Sequence, residues 1–182
     1  IRNSDDWKNQ AGWLAESTQG KLEMYNPLVM SKMFLLNDAN ILDKFNSEHL
    51  YWIDAAIATT VSIGYFTSDN VLDKLLNKVS KFLFLCFPYK ANTEIHGFSY
   101  PEINNYARGK DIDKVARGGF FGGPKDSIAQ MNGRYYDLMS TTLNDGYMGT
   151  EESLFSLLVY QFPESVCYSK IQENGLIYYF FE

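Results

Sequence analysis

The chain has 182 residues, of which 46% are hydrophobic, and this composition suffices for one core in a single α/β domain. Its net charge of −6 argues against a nucleic-acid partner, because affinity for nucleic acids comes mostly from Lys and Arg side chains that neutralise phosphates. No stretch approaches the roughly 18 to 20 apolar residues of a membrane helix, so we expect a soluble, cytoplasmic protein without a transmembrane segment.

The amino-terminal part of the chain predicts a helix followed by a strand. Asn26 and Pro27 suit the cap and the first position of a helix, and the spacing of apolar residues extends this helix over residues 27–44. The aromatic and branched run that follows predicts a strand over residues 50–54. This strand ends at Asp54, an acid followed by small residues.

The middle of the chain predicts a second helix, a central strand and a long loop. Apolar residues recur on one face of a helix over residues 69–79. Residues 82–87 are apolar on both alternating faces, which is typical of a buried central strand. Residues 89–116 are predicted to be irregular, and loops of that length are usually functional or mobile.

The carboxyl-terminal part predicts two strong helices and three strands. A short strand over residues 119–122 leads into a helix that begins at Pro124 and ends near Gly146. Thr150 suits the cap of the next helix, and two terminal strands follow near residues 166–171 and 176–181. Because helices and strands alternate, we expect an α/β fold with a mixed sheet.

Both cysteines lie in apolar, strand-like runs. A buried, reduced thiol behaves as a small hydrophobic side chain, and we expect this for Cys86 and Cys167 rather than a disulfide or a nucleophile.

Asp54 is the first candidate site residue. The carboxyl ends of strands form the edge where ligands bind in open α/β sheets. A buried charge without a partner would cost several kcal/mol by rough estimate, so we expect Asp54 to meet a metal, a base or backbone donors. The alternative without a function is an acid that caps a turn or pairs with a lysine.

The glycine-rich run over residues 117–123 is the second candidate. Gly118, Gly119 and Gly122 would let the backbone approach a sugar closely, and Arg117 could contact a phosphate with two hydrogen bonds. Neither a Walker pattern nor a dinucleotide fingerprint is present. A close-packed bend in a strand would explain the glycines equally well.

Two acids and a histidine complete the candidates. Glu151 and Glu152 begin the last long helix, where acids are either favoured by the helix dipole or placed to bind a ligand beside Gly149. His96 follows Glu94 in a polar loop and is either a surface residue or a metal ligand.

Five motifs of the chain occur in the same order in a known family. They are residues 24–32, 45–48 with 51–55, 94–98, 117–123 and 146–153. In these motifs the chain resembles the HtrL/YibB (WlaTC-like) proteins, and the resemblance spans about residues 21–180. These proteins are implicated in bacterial surface-polysaccharide biosynthesis and are regarded as glycosyltransferases. The resemblance implies transfer of a sugar from a nucleotide-sugar donor to a glycan or lipid-linked acceptor.

The order of elements is also similar to the latter part of GT-A nucleotide-diphospho-sugar transferases, which implies a GT-A-like mixed sheet flanked by helices. This similarity implies that Asp54 holds Mn²⁺ or Mg²⁺ or the donor sugar. Lys32 and Arg117 would contact the donor phosphates. Glu151 or Glu152 would bind the acceptor hydroxyl and could act as a general base.

The chain departs from the GT-A pattern in two places. Residue 56 is Ala rather than the second acid of an Asp-x-Asp motif, so Lys32 and Arg117 could partly replace a metal in neutralising phosphate. Only some 20 residues, with a weak helical signal, precede the basic helix, where GT-A enzymes have a βαβ unit that binds the nucleotide. We therefore expect a fragment of a longer chain or a reduced nucleotide pocket.

Two alternatives belong to other functional classes. One is a non-catalytic carbohydrate-binding or scaffold domain with the same fold. The other is a metal-dependent hydrolase that uses Asp54, Glu94 and His96. Convergence of Asp54, Arg117 and one of the two glutamates in one pocket would favour the transferase, and separate surfaces would count against it.

Overall fold

A computed structural model describes residues 16–17, 21–59, 61–62, 64, 69–90, 94–172 and 177–181. The weak helical signal predicted in the first 20 residues lies almost entirely outside these ranges.

Helices and strands alternate along the described residues. The α-helices are α1 (Tyr25–Met30), α2 (Lys32–Ile41), α3 (Asp69–Asn77), α4 (Tyr100–Tyr106), α5 (Lys125–Asn144) and α6 (Glu151–Gln161). The strands are β1 (His49–Ile53), β2 (Phe82–Pro88), β3 (Glu94–Ile95), β4 (Phe98–Ser99), β5 (Lys114–Pro124) and β6 (Val166–Lys170). Two 3-10 helices span Ala55–Thr59 and Ile177–Phe180.

The main sheet of the described residues has four strands in the order β1-β5-β2-β6. β5 is antiparallel to both of its neighbours, whereas β6 is parallel to β2. β3 and β4 form a separate two-stranded hairpin. The sheet is open and mixed, with helices flanking it, so the predicted fold class is confirmed.

The core lies on both faces of β5 and β2. Phe121 packs against Phe155 of α6, with ring centroids 4.7 Å apart, whereas its neighbour Phe120 packs against Phe181 at 5.0 Å. Successive strand residues point to opposite faces, so β5 is covered on both sides. Residues 82–87 of β2 are all buried, as the run of apolar residues predicts.

The helix predicted over residues 27–44 is divided at Ser31 into α1 and α2, and two other predictions of secondary structure were wrong. Residues 89–116 are not one irregular segment, because they contain the β3–β4 hairpin, α4 and the start of β5. Pro101 in the first turn of α4 is the local signal for that helix. The strand predicted near residues 176–181 is a 3-10 helix where it is described, since Phe180 and Phe181 pack on the Phe120 ring.

β5 has a large irregularity in its pairing with β2. Phe84 pairs with Phe121 and Cys86 with Ala116, so two steps along β2 correspond to five along β5. Four residues of β5 therefore lie opposite one residue of β2 and leave the β2 ladder, which is a larger insertion than an ordinary β-bulge has. This segment, residues 117–120, is called the β5 bulge below.

The cysteines differ in environment. Cys86 is buried in β2, and burial raises the pKa of its thiol to about 12, so this residue is unreactive. Cys167 in β6 is only partly buried, and among the described residues neither cysteine forms a disulfide. None of the helices in the described ranges has both the length and the apolar character needed to cross a bilayer.

Asp43 fixes the turn between α2 and β1, and so helps to place the strand that ends at Asp54. Its carboxylate accepts hydrogen bonds from the backbone N–H groups of Phe45 and Ser47, at 3.0 and 2.7 Å. It also pairs with the Lys125 ammonium at the start of α5, 3.0 Å away. The hydrogen bond from Lys125 and the two N–H groups lower the pKa of Asp43 to about 2.

We expect Asp43→Asn to destabilise the protein at neutral pH and to have less effect in acid. The folded state lowers the pKa of Asp43 from 3.8 to about 2, so the ionised carboxylate contributes stability above about pH 4 that is lost as the pH falls through 2. Urea unfolding at a series of pH values measures this difference. Asp137→Asn, at an exposed position of α5, is the control. An Asp43→Asn effect that does not shrink in acid would contradict the prediction.

Candidate functional site

Charged residues from four elements meet beside the carboxyl end of β1. The contributing segments are the start of α2, the residue after β1, the β5 bulge and the first turn of α6. The residues are Lys32, Asp54, Arg117, Gly118, Glu151 and Glu152, with His96 in the β3–β4 turn. These residues are called the charged network below. Asp54, Arg117 and the two glutamates therefore belong to one network of contacts and do not lie on separate surfaces.

Lys32 is the centre of the network. Its ammonium donates to Asp54 Oδ2 at 3.0 Å, to Glu151 Oε1 at 2.9 Å and to the Gly118 carbonyl oxygen at 3.2 Å. Burial alone would lower the pKa of Lys32, but the two carboxylates outweigh it and the pKa is raised. All three N–H groups of the ammonium are used, so a phosphate could bind Lys32 only by displacing one of these oxygens.

Asp54 is held on both carboxylate oxygens but stays accessible. The Trp52 indole N–H donates to Oδ1 at 2.6 Å, and Lys32 contacts Oδ2. The Asp54 backbone N–H donates to the Gly119 carbonyl in the β5 bulge at 3.0 Å. The Asp54 side chain is nevertheless 36% exposed, so a ligand could reach its free lone pairs.

Glu151 lies on the buried side of the network. The residue is 5% exposed, and burial raises the pKa of its carboxyl, while the Lys32 charge opposes this rise. Gly118 permits this position, because a Cβ on residue 118 would overlap Glu151 Oε1 and lie 2.9 Å from Cδ. A side chain at residue 118 would therefore displace the Glu151 carboxylate from its present position beside Lys32.

Glu152 organises the other half of the network. Its Oε1 accepts from the Gly118 backbone N–H at 2.9 Å, and its Oε2 lies 3.2 Å from Arg117 Nη1. His96 Nε2 is 3.6 Å from the same oxygen. The Arg117 guanidinium also lies over the Phe87 ring, 5.6 Å from its centroid. Glu152 thus fixes the position of the guanidinium.

The β3–β4 turn brings His96 to the network. His96 and Gly97 have φ angles of 43° and 101°, as a tight hairpin turn requires. The His96 carbonyl accepts from Ser153 Oγ at 2.8 Å and from Thr150 N at 3.2 Å, so the turn is bonded to the start of α6. A Cβ on Gly149 would lie 2.5 Å from that carbonyl, so this glycine serves packing and leaves no room for a ligand.

Gly122 is separate from the network. Its φ of 145° and its position against β1 leave no space for a side chain, because a Cβ would lie 2.7 Å from Tyr51 Cα. Gly119 is nearer, since a Cβ there would lie 3.9 Å from Asp54 Oδ2. Gly119 thus lies beside Asp54, where the sugar contact stays a prediction, whereas Gly122 allows close approach of two strands.

Two residues of the site did not emerge from the sequence as candidates. Trp52 contacts Asp54 from two positions earlier in the chain, the spacing that puts both side chains on one face of a strand. Tyr25 begins α1, seven residues before Lys32 begins α2. Burial, and then the charge of Glu151, raises the pKa of the Tyr25 hydroxyl, so this phenol lies near the network.

The residues present do not fit a resident divalent metal. In the described part of the chain, no group of three or more His, Cys, Asp and Glu side chains is placed to hold a metal ion. The carboxylates of Asp54 and Glu151 face the Lys32 ammonium instead. Glu94, the third acid of the hydrolase hypothesis, accepts a hydrogen bond from the Gly97 N–H at 2.9 Å within its own turn.

A cleft of about 440 Å³ lies on another side of α1, and it contains no residue of the charged network. Its lining is mainly apolar and includes Met30, Phe34, Met139, Leu143 and Met148. Methionine side chains adapt to irregular apolar ligands, so the cleft suits an apolar group rather than a nucleotide.

We expect Gly118→Ala to destabilise the protein by about 1–3 kcal/mol. The added methyl group would force Glu151 to move, and that movement would break its contact with Lys32. Gly133→Ala is the matched control, because a Cβ there meets no atom within 4 Å and the residue lies inside α5. Alanine should stabilise that helix by about 0.5–1 kcal/mol. Chemical unfolding of both variants tests the pair, and equal effects would contradict it.

Comparison with known proteins agrees with the five sequence motifs. The sequence profile of a family described as "Bacterial protein of unknown function (HtrL_YibB)" matches residues 14–173. No curated protein and no solved structure matches the chain. Because the match covers far more than half of the sequence, the chain belongs to the HtrL_YibB family.

Proposed function

We propose that the chain is a GT-A-like glycosyltransferase domain. It moves a sugar from a nucleotide-sugar donor to a hydroxyl of a glycan or lipid-linked acceptor. The observation that supports this most is the meeting of three acids, a lysine and an arginine from four separate elements at one strand end. Buried ion pairs contribute little to stability, so a cluster of this kind is a candidate for function.

Exposure separates the residues that face a ligand from those that support them. The side chains of Asp54 and Arg117 are each 36% exposed, against 11% for Lys32 and 7% for Glu151. Arg117 directs Nη1 to Glu152, and a guanidinium has five N–H groups in total. Arg117 therefore contacts the donor diphosphate, and Asp54 accepts hydrogen bonds from hydroxyl groups of the sugar.

Of the two glutamates, Glu152 is better placed to act on the acceptor. It is nearer the surface than Glu151, and its Oε2 lies 3.6 Å from His96 Nε2. A carboxylate beside an imidazole can accept the proton of an acceptor hydroxyl and pass it on. In this proposal Glu151 keeps Lys32 in place and has no direct contact with the acceptor.

The acceptor and the biological setting are supported by weaker observations. The resemblance to HtrL/YibB proteins points to bacterial surface-polysaccharide biosynthesis. The apolar cleft beside α1 would suit the hydrocarbon part of a lipid-linked acceptor.

A non-catalytic carbohydrate-binding domain is the second candidate. It is favoured because most charges of the network are already satisfied by one another and residue 56 is Ala. Such a domain would bind glycans with the same affinity whether or not a nucleotide is attached.

We expect the protein to bind a nucleoside-diphosphate sugar. Asp54→Asn and Arg117→Met should each weaken this binding at least about tenfold, because a charge-assisted hydrogen bond contributes about 1.5–3 kcal/mol. Isothermal titration calorimetry with a panel of nucleotide sugars measures this. Asp73→Asn on α3 and Arg134→Met on α5 are controls, because these residues pair with Lys78 and Glu164 away from the network. If no nucleotide sugar binds, or if the controls lose as much affinity as the site variants, the donor-site proposal fails.

We also expect the protein to hydrolyse its donor in the absence of a glycan acceptor, with water taking the place of the acceptor hydroxyl, and so to release nucleoside diphosphate. Glu152→Gln should reduce the rate at least about tenfold, because an amide cannot accept the proton of that water. Donor binding by this variant, measured by calorimetry, should change much less than the rate. Glycan binding without any release of nucleoside diphosphate would favour the carbohydrate-binding domain instead.

A further inference from the structure

We propose that Lys32 is a built-in cation that takes the place of a divalent metal at Asp54. The ammonium binds the oxygen atoms that a metal ion would otherwise coordinate. The site therefore binds its nucleotide-sugar donor without a metal ion. This last statement rests on the proposed donor site, whereas the role of Lys32 rests on the geometry of the charged network alone.

The contacts of Lys32 resemble a metal coordination set. Its Nζ lies between a carboxylate oxygen of Asp54, a carboxylate oxygen of Glu151 and the backbone carbonyl of Gly118. Carboxylate and carbonyl oxygens are the ligands that Mg²⁺ and Ca²⁺ take in proteins. The three oxygens come from the end of β1, the β5 bulge and α6, so one cation joins three elements.

The spacing of these oxygens suits an ammonium better than a metal ion. The three N–O distances are 2.9–3.2 Å. Mg²⁺ requires about 2.0–2.1 Å and Ca²⁺ about 2.3–2.6 Å, so the oxygens would have to move inward to bind either ion. Lys32 is also 9% exposed and begins α2, so it cannot leave without opening a hole beside the buried carboxylate of Glu151.

The sequence around Asp54 agrees with this assignment. Residue 56, where GT-A enzymes have a second acid, is an exposed alanine in the 3-10 helix after β1. The Asp54 carboxylate at this strand end thus shares the single positive charge of Lys32 with the Glu151 carboxylate. A divalent ion added beside Lys32 would meet a like charge, which opposes its binding.

The test is to remove the ammonium and ask whether a metal ion replaces it. Lys32→Met keeps most of the side-chain volume, whereas Lys32→Ala empties the space that the lysine side chain occupies. Each variant should bind Ca²⁺ or Mg²⁺ at least about tenfold more tightly than the wild-type protein does. Calorimetry with the metal ion alone measures the affinity. The melting temperature of the variants should rise by about 4 °C or more on adding the ion, and that of the wild-type protein should not.

Lys125→Ala is the matched control. Lys125 also pairs with a buried carboxylate, but only one acid, Asp43, faces it. Its removal should therefore create no metal site. The proposal is overturned if the wild-type protein binds a divalent ion and Asp54→Asn abolishes that binding. It is also overturned if the folded Lys32 variants gain no affinity, or if neither variant folds with or without the ion.

Donor binding supplies the second readout. The affinity of the wild-type protein for a nucleotide sugar should change less than about twofold between a chelator and excess Mg²⁺. A donor that binds only with Mg²⁺ would overturn the metal-independent site. If no donor binds in either condition, the proposed transferase function fails, and the metal titrations of the Lys32 variants still decide the role of Lys32.

Discussion

The contact of one ammonium group with three oxygens determines how the elements of the site are arranged. Lys32 joins the start of α2 to the end of β1, the β5 bulge and the first turn of α6. A buried charge without partners would cost several kcal/mol by rough estimate, so these elements must come within hydrogen-bond distance of one atom. The sheet order agrees with this contact, since β1 and β5 are adjacent and Asp54 and Gly118 at these strands both reach Lys32.

The β5 bulge is the backbone feature that makes this contact feasible. A regular β5 would direct its backbone groups at residue 118 into the ladder with β2, whereas the bulge leaves them for other partners. The Gly118 carbonyl then accepts from Lys32, and its N–H donates to Glu152. The absence of a side chain at this residue lets Glu151 fill the space next to it. One glycine therefore serves both halves of the network.

The sequence predicted the parts of the site better than their connections. Asp54, Gly118 and Glu151 were identifiable because each lies at the boundary or bend of an element with a clear local pattern. Lys32 was also a candidate, but as a phosphate contact. Its role as the shared partner of Asp54 and Glu151 was not predicted, because it is 22 and 119 residues away from them and local patterns say nothing of contacts at such distances. The segment over residues 89–116 was missed for a related reason, since short elements held by packing have weak patterns of their own.

The network separates structural and ligand-facing roles among residues of the same chemical type. Glu151 and Lys32 are buried and satisfy each other, so their charges contribute to the arrangement of the elements. Asp54 and Arg117 are more exposed, although Asp54 is held by Trp52 and Lys32 and Arg117 is held by Glu152. A ligand at this strand end would thus meet groups that are already oriented, and little of its binding energy would be lost in ordering them.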